Sequence, residues 1–289
     1  MSFRGVYPPI PTSFDAAGNV DTRAIGENVT RWMRTGLRGI VALGSNGEAA
    51  LLDEDESDAV VNAVRAAMPD DRMLIVGTGR ESTRATIAAS RRAAASGAQA
   101  VLVRTPSFFK SQMTADALIA HYTALADACP VPVLLYNLPG VTGISFTPVI
   151  VSKLAEHPNI TGMKETSPDI ERLAQFVSVT PSDFEVFCGW APVAYPAMAV
   201  GAAGAILAVA NVAPDACVAL FDHVAAGRHQ QAAALQQRLT PLAQLVTATY
   251  GVPGLKLALE LSGYHGGAAR PPLLPAPAKA RDEIAAALL

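Results

Sequence analysis

The sequence predicts an α/β fold, namely a (β/α)8 TIM barrel followed by a C-terminal helical appendage. Short apolar runs rich in Val, Ile and Leu recur along the chain, and most are apolar at every position, as strands buried on both faces are. Helical patterns separate these runs, and this alternation is typical of parallel βαβ units. No strand pattern follows residue 213. We therefore expect a barrel domain over residues 1–213 and, over residues 214–289, the last barrel helix and a helical region.

The apolar runs are the predicted strands, and eight strand–helix units in about 210 residues match a closed barrel better than an open sheet. An open doubly wound sheet is the alternative, but it usually carries a glycine-rich dinucleotide turn after an early strand. GSNGEA follows a strand with a different glycine spacing. The runs span residues 5–14, 39–44, 73–79, 100–106, 131–137, 160–166, 184–190 and 204–211.

Helix signals lie between the runs. The segment from Asp21 to Gly36 places apolar residues at helical spacing, and Asp53 to Met68 begins with the acidic residues that helix N-termini prefer. Three residues precede alanine- or leucine-rich amphipathic runs and are predicted N-caps: Ser82, Thr114 and Thr147. Beyond the barrel, helices are predicted over residues 214–227, 229–249, 251–263 and 277–288.

One uncharged stretch, from Trp190 to Pro214, is long enough to span a bilayer. Prolines and glycines interrupt it, so we interpret it as a helix followed by a buried strand, with no membrane span. The N-terminus lacks the long apolar core of a signal peptide.

Composition narrows the classes of partner. The net charge is −3 and no long basic run occurs, which disfavours a nucleic-acid surface. The number of cysteines is three, an odd count, and their wide spacing fits neither a disulfide framework nor a metal-binding pair. We expect Cys129, Cys188 and Cys217 to be buried small hydrophobic residues in a cytoplasmic protein.

A barrel of this kind carries its active site at the carboxyl ends of the strands. Polar residues at the end of an apolar run are therefore the candidates for chemistry. They are Thr12, Ser13, Ser45, Asn46, Glu48, Thr78, Arg80, Thr105, Ser107, Tyr136, Asn137, Lys164, Glu165, Thr166, Ser167, Trp190 and Asn211.

Among the five lysines only Lys164 ends a predicted strand. Lysine is rarely buried without a partner or a purpose, and desolvation frees its amine to attack a carbonyl carbon. The alternative is an ion pair with Glu165 or another barrel carboxylate. The other lysines, Lys256 among them, fall in loops, helices or linkers, where we expect solvated charges.

Two further features belong to the same site. Tyr136 ends the neighbouring strand, and imine formation needs a group that moves protons; on its own, a core tyrosine with a bonded hydroxyl is the simpler interpretation. Ser45, Asn46 and Gly47 form a strand-to-helix turn whose amides could hold a small carboxylate. A plain β–α turn with helix capping is the alternative there.

Motifs for other chemistries are absent from the sequence. The five histidines form neither HxxxH nor HExxH, so metal catalysis is disfavoured. Neither a GxxxxGK[ST] phosphate loop nor a GxSxG nucleophile elbow occurs.

The motifs resemble those of the dihydrodipicolinate synthase / N-acetylneuraminate lyase family of class I pyruvate-dependent aldolases. The resemblance covers nearly the whole chain, and the pairing of YNxPxxTG with G-[IM]-K-[DE] is its most specific part. The matching pieces are PPIPTSF, GSNGEA, TPSFF, LLYNLPGVTG, GMKETSPD and GAAGAILAVANVAP.

The resemblance implies the roles of seven residues. Lys164 would form an imine with the 2-oxo carbon of pyruvate, and Tyr136 would donate and accept protons. Ser45 and Asn46 would bind the pyruvate carboxylate, with Ser45 also in the proton path. Lining the pocket would be Thr166, Gly189 and Ile206. The family further implies a homotetramer built as a dimer of dimers, with neither a metal nor an organic cofactor.

Within the family the motifs lean towards the 4-hydroxy-2-oxoglutarate aldolases, which cleave their substrate to pyruvate and glyoxylate. GSNGE in place of GTTGE, AVANV after the seventh helix, and GVPGLK with GYHGGAARPPL carry this resemblance.

Two positions depart from the synthase pattern. Synthase members carry an arginine two residues after YNxP that grips the carboxylate of the second substrate, and Val141 stands there. Valine cannot replace the bidentate hold of arginine. Where family members often have a Tyr-Tyr pair for a proton relay across subunits, this sequence has Phe108 and Phe109.

These departures leave several functions open. The first is an imine-forming lyase for a 2-oxo acid and an aldehyde. The same lysine would also serve the lysine-biosynthetic synthase, a sugar-acid dehydratase or a hydratase–aldolase. A non-catalytic sensor or scaffold that binds a 2-oxo acid is the alternative from a different class.

Overall fold

The computed structural model describes residues 2–288, and over this range eight parallel strands form one sheet with helices between them. Each strand pairs with its neighbours in the order β1-β8-β7-β6-β5-β4-β3-β2. The strands are β1 (Gly5–Tyr7), β2 (Gly39–Ala42), β3 (Met73–Gly77), β4 (Ala100–Arg104), β5 (Val133–Asn137), β6 (Ile160–Glu165), β7 (Glu185–Cys188) and β8 (Gly204–Ile206).

Backbone hydrogen bonds between the first two strand segments close the barrel. The Arg38 amide donates to Val6 at 3.0 Å, and the Val41 amide donates to Pro8 at 3.0 Å. The Ile10 amide in turn donates to Val41 at 3.0 Å. These contacts join β1 to β2, so the predicted TIM barrel is confirmed.

The first strand is shorter than the predicted run over residues 5–14, since β1 ends at Tyr7. Pro8 and Pro9 follow directly, and proline has no amide hydrogen to donate to a ladder. Only an isolated bridge between Pro9 and Val41 continues the pairing.

The predicted helix starts are confirmed. Asp53 caps its helix with a reciprocal capping box to Glu56, and the side chains of Ser82, Thr114 and Thr147 each accept a backbone amide at a helix start. The barrel helices are α1 (Thr22–Trp32), α2 (Glu54–Ala67), α3 (Thr83–Ala95), α4 (Ala115–Ala128), α5 (Pro139–Thr142), α6 (Pro148–Leu154), α7 (Ile170–Val179) and α8 (Ala194–Ala199).

The uncharged stretch after Trp190 contains a helix and then β8, as predicted. Within the described residues, no helix is both long and apolar enough to cross a membrane. The later part of the chain is helical, and the division into two domains at residue 213 stays a prediction. Its helices are α9 (Pro214–Ala225), α10 (His229–Gln244), α11 (Gly251–Leu261) and α12 (Lys279–Ala287), with a π turn at Leu245–Thr249.

Buried side chains form two layers. A large apolar cluster lies between the strands and the helices, and a smaller one fills the barrel interior. All three cysteines are buried, as predicted. Burial raises the pKa of Cys188 and of Cys217 to about 12, so both are held as thiols.

Candidate active site

The site is built where β5 pairs with β6. Tyr136 is the register partner of Lys164, and Lys164 is in turn paired with Phe187 on β7. Residues paired across parallel strands present their side chains to the same face. Tyr136 and Phe187 pack in the cluster inside the barrel, so Lys164 extends to that interior too.

Three polar side chains are linked by two hydrogen bonds. Lys164 Nζ donates to Tyr136 Oη at 3.2 Å, and Tyr136 Oη lies 3.1 Å from Ser45 Oγ. The ammonium group also lies 4.5 Å from the centre of the tyrosine ring. Lys164 and Tyr136 are each only 4% exposed, whereas Ser45 is exposed. The arrangement joins a buried amine to the surface through two hydroxyl groups, a geometry suited to proton transfer.

Glu165 does not neutralise the lysine. It follows Lys164 on β6, so its side chain lies on the opposite face of the strand, where Glu165 Oε2 accepts a 2.5 Å hydrogen bond from Asn137. Burial raises the pKa of the Glu165 carboxyl group. Among residues 2–288, Lys164 forms no ion pair, which removes the structural alternative for this lysine.

The turn after β2 presents unused amides. Thr12 Oγ1 donates to Gly47 O at 2.7 Å and ties the turn to the segment after β1. Within the described chain, the backbone amides of Ser45 and Asn46 and the side-chain amide of Asn46 donate no hydrogen bond. Adjacent backbone amides without an acceptor can bind an anion.

Gly189 brings the lysine close to a threonine. A Cβ atom at Gly189 would lie 2.7 Å from Lys164 Cε and 2.2 Å from Thr166 Oγ1. The close approach therefore depends on the missing side chain. Thr166 Oγ1 is buried and has no hydrogen-bond partner within the described chain. This hydroxyl group beside the lysine is therefore free to donate and to accept a hydrogen bond.

A cavity of about 400 Å³ opens at the carboxyl ends of the strands. Ser45 and Tyr136 line it, together with Arg80, Arg104 and Val141. Five of the seven predicted site residues are not in its wall. Lys164 reaches it through the tyrosine hydroxyl, Ile206 packs in the barrel interior beside Tyr136, and the others are Asn46, Thr166 and Gly189.

The positions that depart from the synthase pattern are on the surface. Val141 is 69% exposed at the cavity rim, and Phe108 and Phe109 are 78% and 68% exposed. Their two rings meet edge to face with centroids 5.0 Å apart. Neither phenylalanine lines the cavity.

Glu81 holds the loop that carries the two phenylalanines. Its carboxylate accepts the Ser107 amide at 2.8 Å, the Phe108 amide at 2.9 Å and Arg104 Nη1 at 2.8 Å. Partial burial opposes ionisation of Glu81, but these three hydrogen bonds outweigh it and lower its pKa to about 2.

The expectation that Lys256 is a solvated charge is wrong. Its side chain is 1% exposed, and Lys256 Nζ lies 2.5 Å from Glu48 Oε1. Burial lowers the pKa of Lys256, and the ion pair with Glu48 opposes that shift. The sequence offered a signal, because Val252, Pro253 and Leu259 place apolar residues around this lysine at helical spacing.

Relatives of known sequence match almost the whole chain. A 4-hydroxy-tetrahydrodipicolinate synthase from Exiguobacterium sp. is 38% identical over 287 residues, which cover 99% of this chain and 97% of the relative. A protein named probable 4-hydroxy-2-oxoglutarate aldolase, mitochondrial, from Emericella nidulans is 35% identical over 287 residues, covering 98% and 92%.

Solved structures match equally completely. Dihydrodipicolinate synthase from Bacillus anthracis superposes with a TM-score of 0.94 at 28% identity, covering 99% of this chain and 98% of that one. YagE from E. coli K12, solved in complex with pyruvate, gives a TM-score of 0.93 at 28% identity, with 99% and 97% coverage.

The barrel, its lysine–tyrosine pair and these relatives define a carbon–carbon lyase of the class I aldolase type. The model of the Dihydrodipicolinate synthetase family matches residues 2–289. The chain belongs to this family.

Proposed function

We propose that the protein makes or breaks a carbon–carbon bond next to pyruvate through an imine on Lys164. The observation that carries the proposal is the 3.2 Å hydrogen bond from Lys164 Nζ to Tyr136 Oη inside the barrel. A buried amine without a carboxylate partner is available as a nucleophile once it loses its proton.

In the first step the amine attacks C2 of the 2-oxo acid. The carbonyl oxygen receives a proton from Tyr136, and after a second proton transfer it leaves as water, so that the C=N bond replaces the C=O bond. Ser45 lies 3.1 Å from the tyrosine hydroxyl and supplies the next link of the proton path.

The substrate carboxylate would bind at the turn after β2. The free amides of Ser45 and Asn46 would donate to it, and the unpartnered hydroxyl of Thr166 is a further donor beside the lysine. Gly189 keeps space at Lys164 Cε, and Ile206 supplies an apolar wall inside the barrel.

For the complete substrate we propose 4-hydroxy-2-oxoglutarate, cleaved to pyruvate and glyoxylate. Tyr136 takes the proton of the C4 hydroxyl, the C3–C4 bond breaks, and its electron pair passes to the protonated imine to give an enamine. Glyoxylate leaves, C3 regains a proton, and water hydrolyses the imine to release pyruvate. The GSNGE turn and the relative from Emericella nidulans support this choice.

The test is reductive trapping. Incubation of the protein with pyruvate and borohydride is expected to add one reduced pyruvyl group by mass, and peptide mapping is expected to place it on Lys164. Lys164→Ala abolishes both the adduct and the cleavage, whereas Lys153→Ala, which removes an exposed lysine paired with Glu156, leaves both unchanged. A wild-type protein without an adduct would refute the proposal.

The second candidate is 4-hydroxy-tetrahydrodipicolinate synthase, since a relative of that name is 38% identical. Val141 counts against it, because no bidentate cation stands at that position to hold the carboxylate of the second substrate. A comparison of turnover with 4-hydroxy-2-oxoglutarate and with pyruvate plus aspartate semialdehyde decides between them. Sugar acids are assayed beside these two substrates to detect dehydration. Binding of a 2-oxo acid without turnover of any of these compounds would identify a sensor.

The proposal includes a homotetramer, a dimer of dimers, that works in the cytoplasm on a 2-oxo acid and an aldehyde without a metal or an organic cofactor. The chemistry supports the last point, because the protonated imine itself withdraws electrons from C3. Full activity after dialysis against a chelator, and sedimentation at the tetramer mass, are the expected results.

A further inference from the structure

The turn after β2 is joined to the helical region at the end of the chain by a buried ion pair. Glu48 follows the turn directly, and Lys256 lies in the middle of α11. The two charged groups are 2.5 Å apart, and each side chain is 1% exposed. Lys256 Nζ also donates to Ala268 O at 2.7 Å, so the ammonium group has a second partner besides Glu48.

Glu48 adopts a backbone conformation that a glutamate rarely takes. Its φ of 55° lies in the left-handed region, where the Cβ atom crowds the backbone and costs free energy. Such a conformation persists only when the surroundings hold it. Here the Arg270 amide donates to Glu48 Oε2 at 2.7 Å while Lys256 holds the other oxygen.

The segment that carries Arg270 binds the same loop at further points. Arg270 makes a two-point ion pair with Glu56 at 2.7 and 2.6 Å and donates to Leu51 O at 2.9 Å. The chain from α11 to Arg270 therefore contacts the loop between β2 and α2 at Glu48 and Leu51, and the first turn of α2 at Glu56.

We propose that the Glu48–Lys256 ion pair is a positioning device that aims the Ser45 and Asn46 amides at the substrate carboxylate. The Glu48 amide donates to Ser45 O at 3.1 Å, and the Gly47 amide donates to Gly44 O at 3.0 Å. The backbone conformation of Glu48 therefore fixes the conformation of the turn that precedes it. Glu48 and Lys256 act through these amides and do not touch the substrate. The inference rests on the proposed function.

Stability alone does not account for the pair. Replacing a buried ion pair by apolar residues of similar size is often neutral or stabilising, because the two charges no longer need to be desolvated. Replacing both residues therefore distinguishes the two roles. If the pair serves only stability, the double variant traps pyruvate at the wild-type rate, and if the pair positions the turn, the rate stays low.

The experiment compares trapping of pyruvate with trapping of methyl pyruvate, which has the same ketone but no carboxylate. Borohydride reduction on Lys164 gives the rate constant for each compound in the wild type, in Lys256→Met, in Glu48→Gln and in the double variant. A misplacement of about 1 Å costs on the order of 10²-fold in rate. We expect the rate with pyruvate to fall 10- to 100-fold in each variant and the rate with methyl pyruvate to fall by less than about threefold on the same scale.

The double variant and a matched lysine variant complete the test. Glu48→Gln/Lys256→Met leaves no unpaired buried charge. If the double variant traps pyruvate at the wild-type rate, the pair serves stability alone and the inference is overturned. Lys279→Met removes a lysine whose ion pair with Glu283 is exposed, and is expected to leave both rates unchanged.

The remaining outcomes are also decisive. An equal loss with both compounds, or no loss, would overturn the positioning role and leave the proposed function intact. Absence of an adduct in the wild type would refute the proposed function and with it this inference. If Lys256→Met does not fold, Glu48→Gln, which keeps the size and shape of the side chain, gives the same comparison.

Discussion

Lys164 and Tyr136 are register partners on adjacent parallel strands, and the lysine donates to the tyrosine hydroxyl at 3.2 Å. Strand pairing thus sets the distance between the nucleophile and the proton donor of the proposed reaction. Both groups are carried by the sheet, while the cavity above them is lined by strand ends and by the loops that follow them.

Tyr136→Phe is expected to lower the rate of cleavage by about 10²- to 10⁴-fold, because general acid–base catalysis contributes that much. The borohydride adduct still forms because Lys164 is intact, but it forms more slowly because the proton donor of imine formation is gone. Steady-state kinetics and mass spectrometry measure the two effects. Tyr122→Phe is the matched control, as its buried hydroxyl donates to Val103 O at 3.0 Å, away from the cavity lining. A rate unaffected by Tyr136→Phe would contradict the assigned role.

Ser45→Ala removes the 3.1 Å contact with Tyr136 and is expected to lower kcat about tenfold, the equivalent of one hydrogen bond. Ser45→Thr keeps the hydroxyl and is expected to retain most of the rate. Equal losses in the two variants would show that the hydroxyl is not what matters. Stopped-flow measurement of imine formation separates the proton path from carboxylate binding.

Gly189→Ala places a methyl group 2.7 Å from Lys164 Cε and 2.2 Å from Thr166 Oγ1. Such overpacking costs about 1–3 kcal/mol of unfolding free energy and displaces the lysine, so the adduct with pyruvate is expected to be lost. Chemical denaturation and trapping measure the two effects. Gly26→Ala is the control, because a Cβ there meets only Ala67 at 3.9 Å. Normal trapping by Gly189→Ala would argue against the proposed geometry.

Stability is expected to depend on pH through His121. Burial lowers its pKa from 6.5 to about 4, so the unfolded chain binds a proton between these values and the folded protein does not. The contribution of His121 to stability is therefore complete above about pH 6.5 and is lost as the pH falls towards 4, by roughly 3 kcal/mol in all. Denaturation of wild type and His121→Leu between pH 4 and 8 measures it, with the exposed His229→Leu as control. Parallel curves for wild type and His121→Leu would disprove the assignment.

Val141→Arg tests whether position 141 contacts the carboxylate of the aldehyde substrate. Val141 lies at the rim of the cavity that Tyr136 lines, and a guanidinium group there would form charge-assisted hydrogen bonds of about 1.5–3 kcal/mol. We expect kcat/KM for succinic semialdehyde to rise about 10- to 100-fold while that for butanal stays constant. Val149→Arg, at an exposed position outside the cavity wall, controls for the added charge. An equal change with both aldehydes would rule out recognition of the carboxylate.

The sequence was sufficient for the fold because each strand is a local apolar run and six of the barrel helices begin at a local side-chain cap. It was also sufficient to bring Lys164 and Tyr136 together, since both end strands that are consecutive in the chain. The ion-pair partner of Lys256 could not be predicted, for the opposite reason. Its partner Glu48 comes from a distant part of the chain, and no local pattern pairs a lysine in a C-terminal helix with a glutamate after the second strand. The role of Glu48 was invisible for the same reason, because its left-handed backbone follows from those distant contacts.

The partners of Glu48 are made late, since Arg270 lies 222 residues further along the chain. During synthesis the eight strands emerge first, and domains generally form from the N-terminal side. A nascent barrel that already contains Lys164 and Tyr136 therefore has a turn after β2 that still lacks its contacts with Lys256 and Arg270. The turn can take its final shape only when α11 and Arg270, which lies 222 residues after Glu48, have left the ribosome, so on the proposed function imine formation would wait for this distant segment.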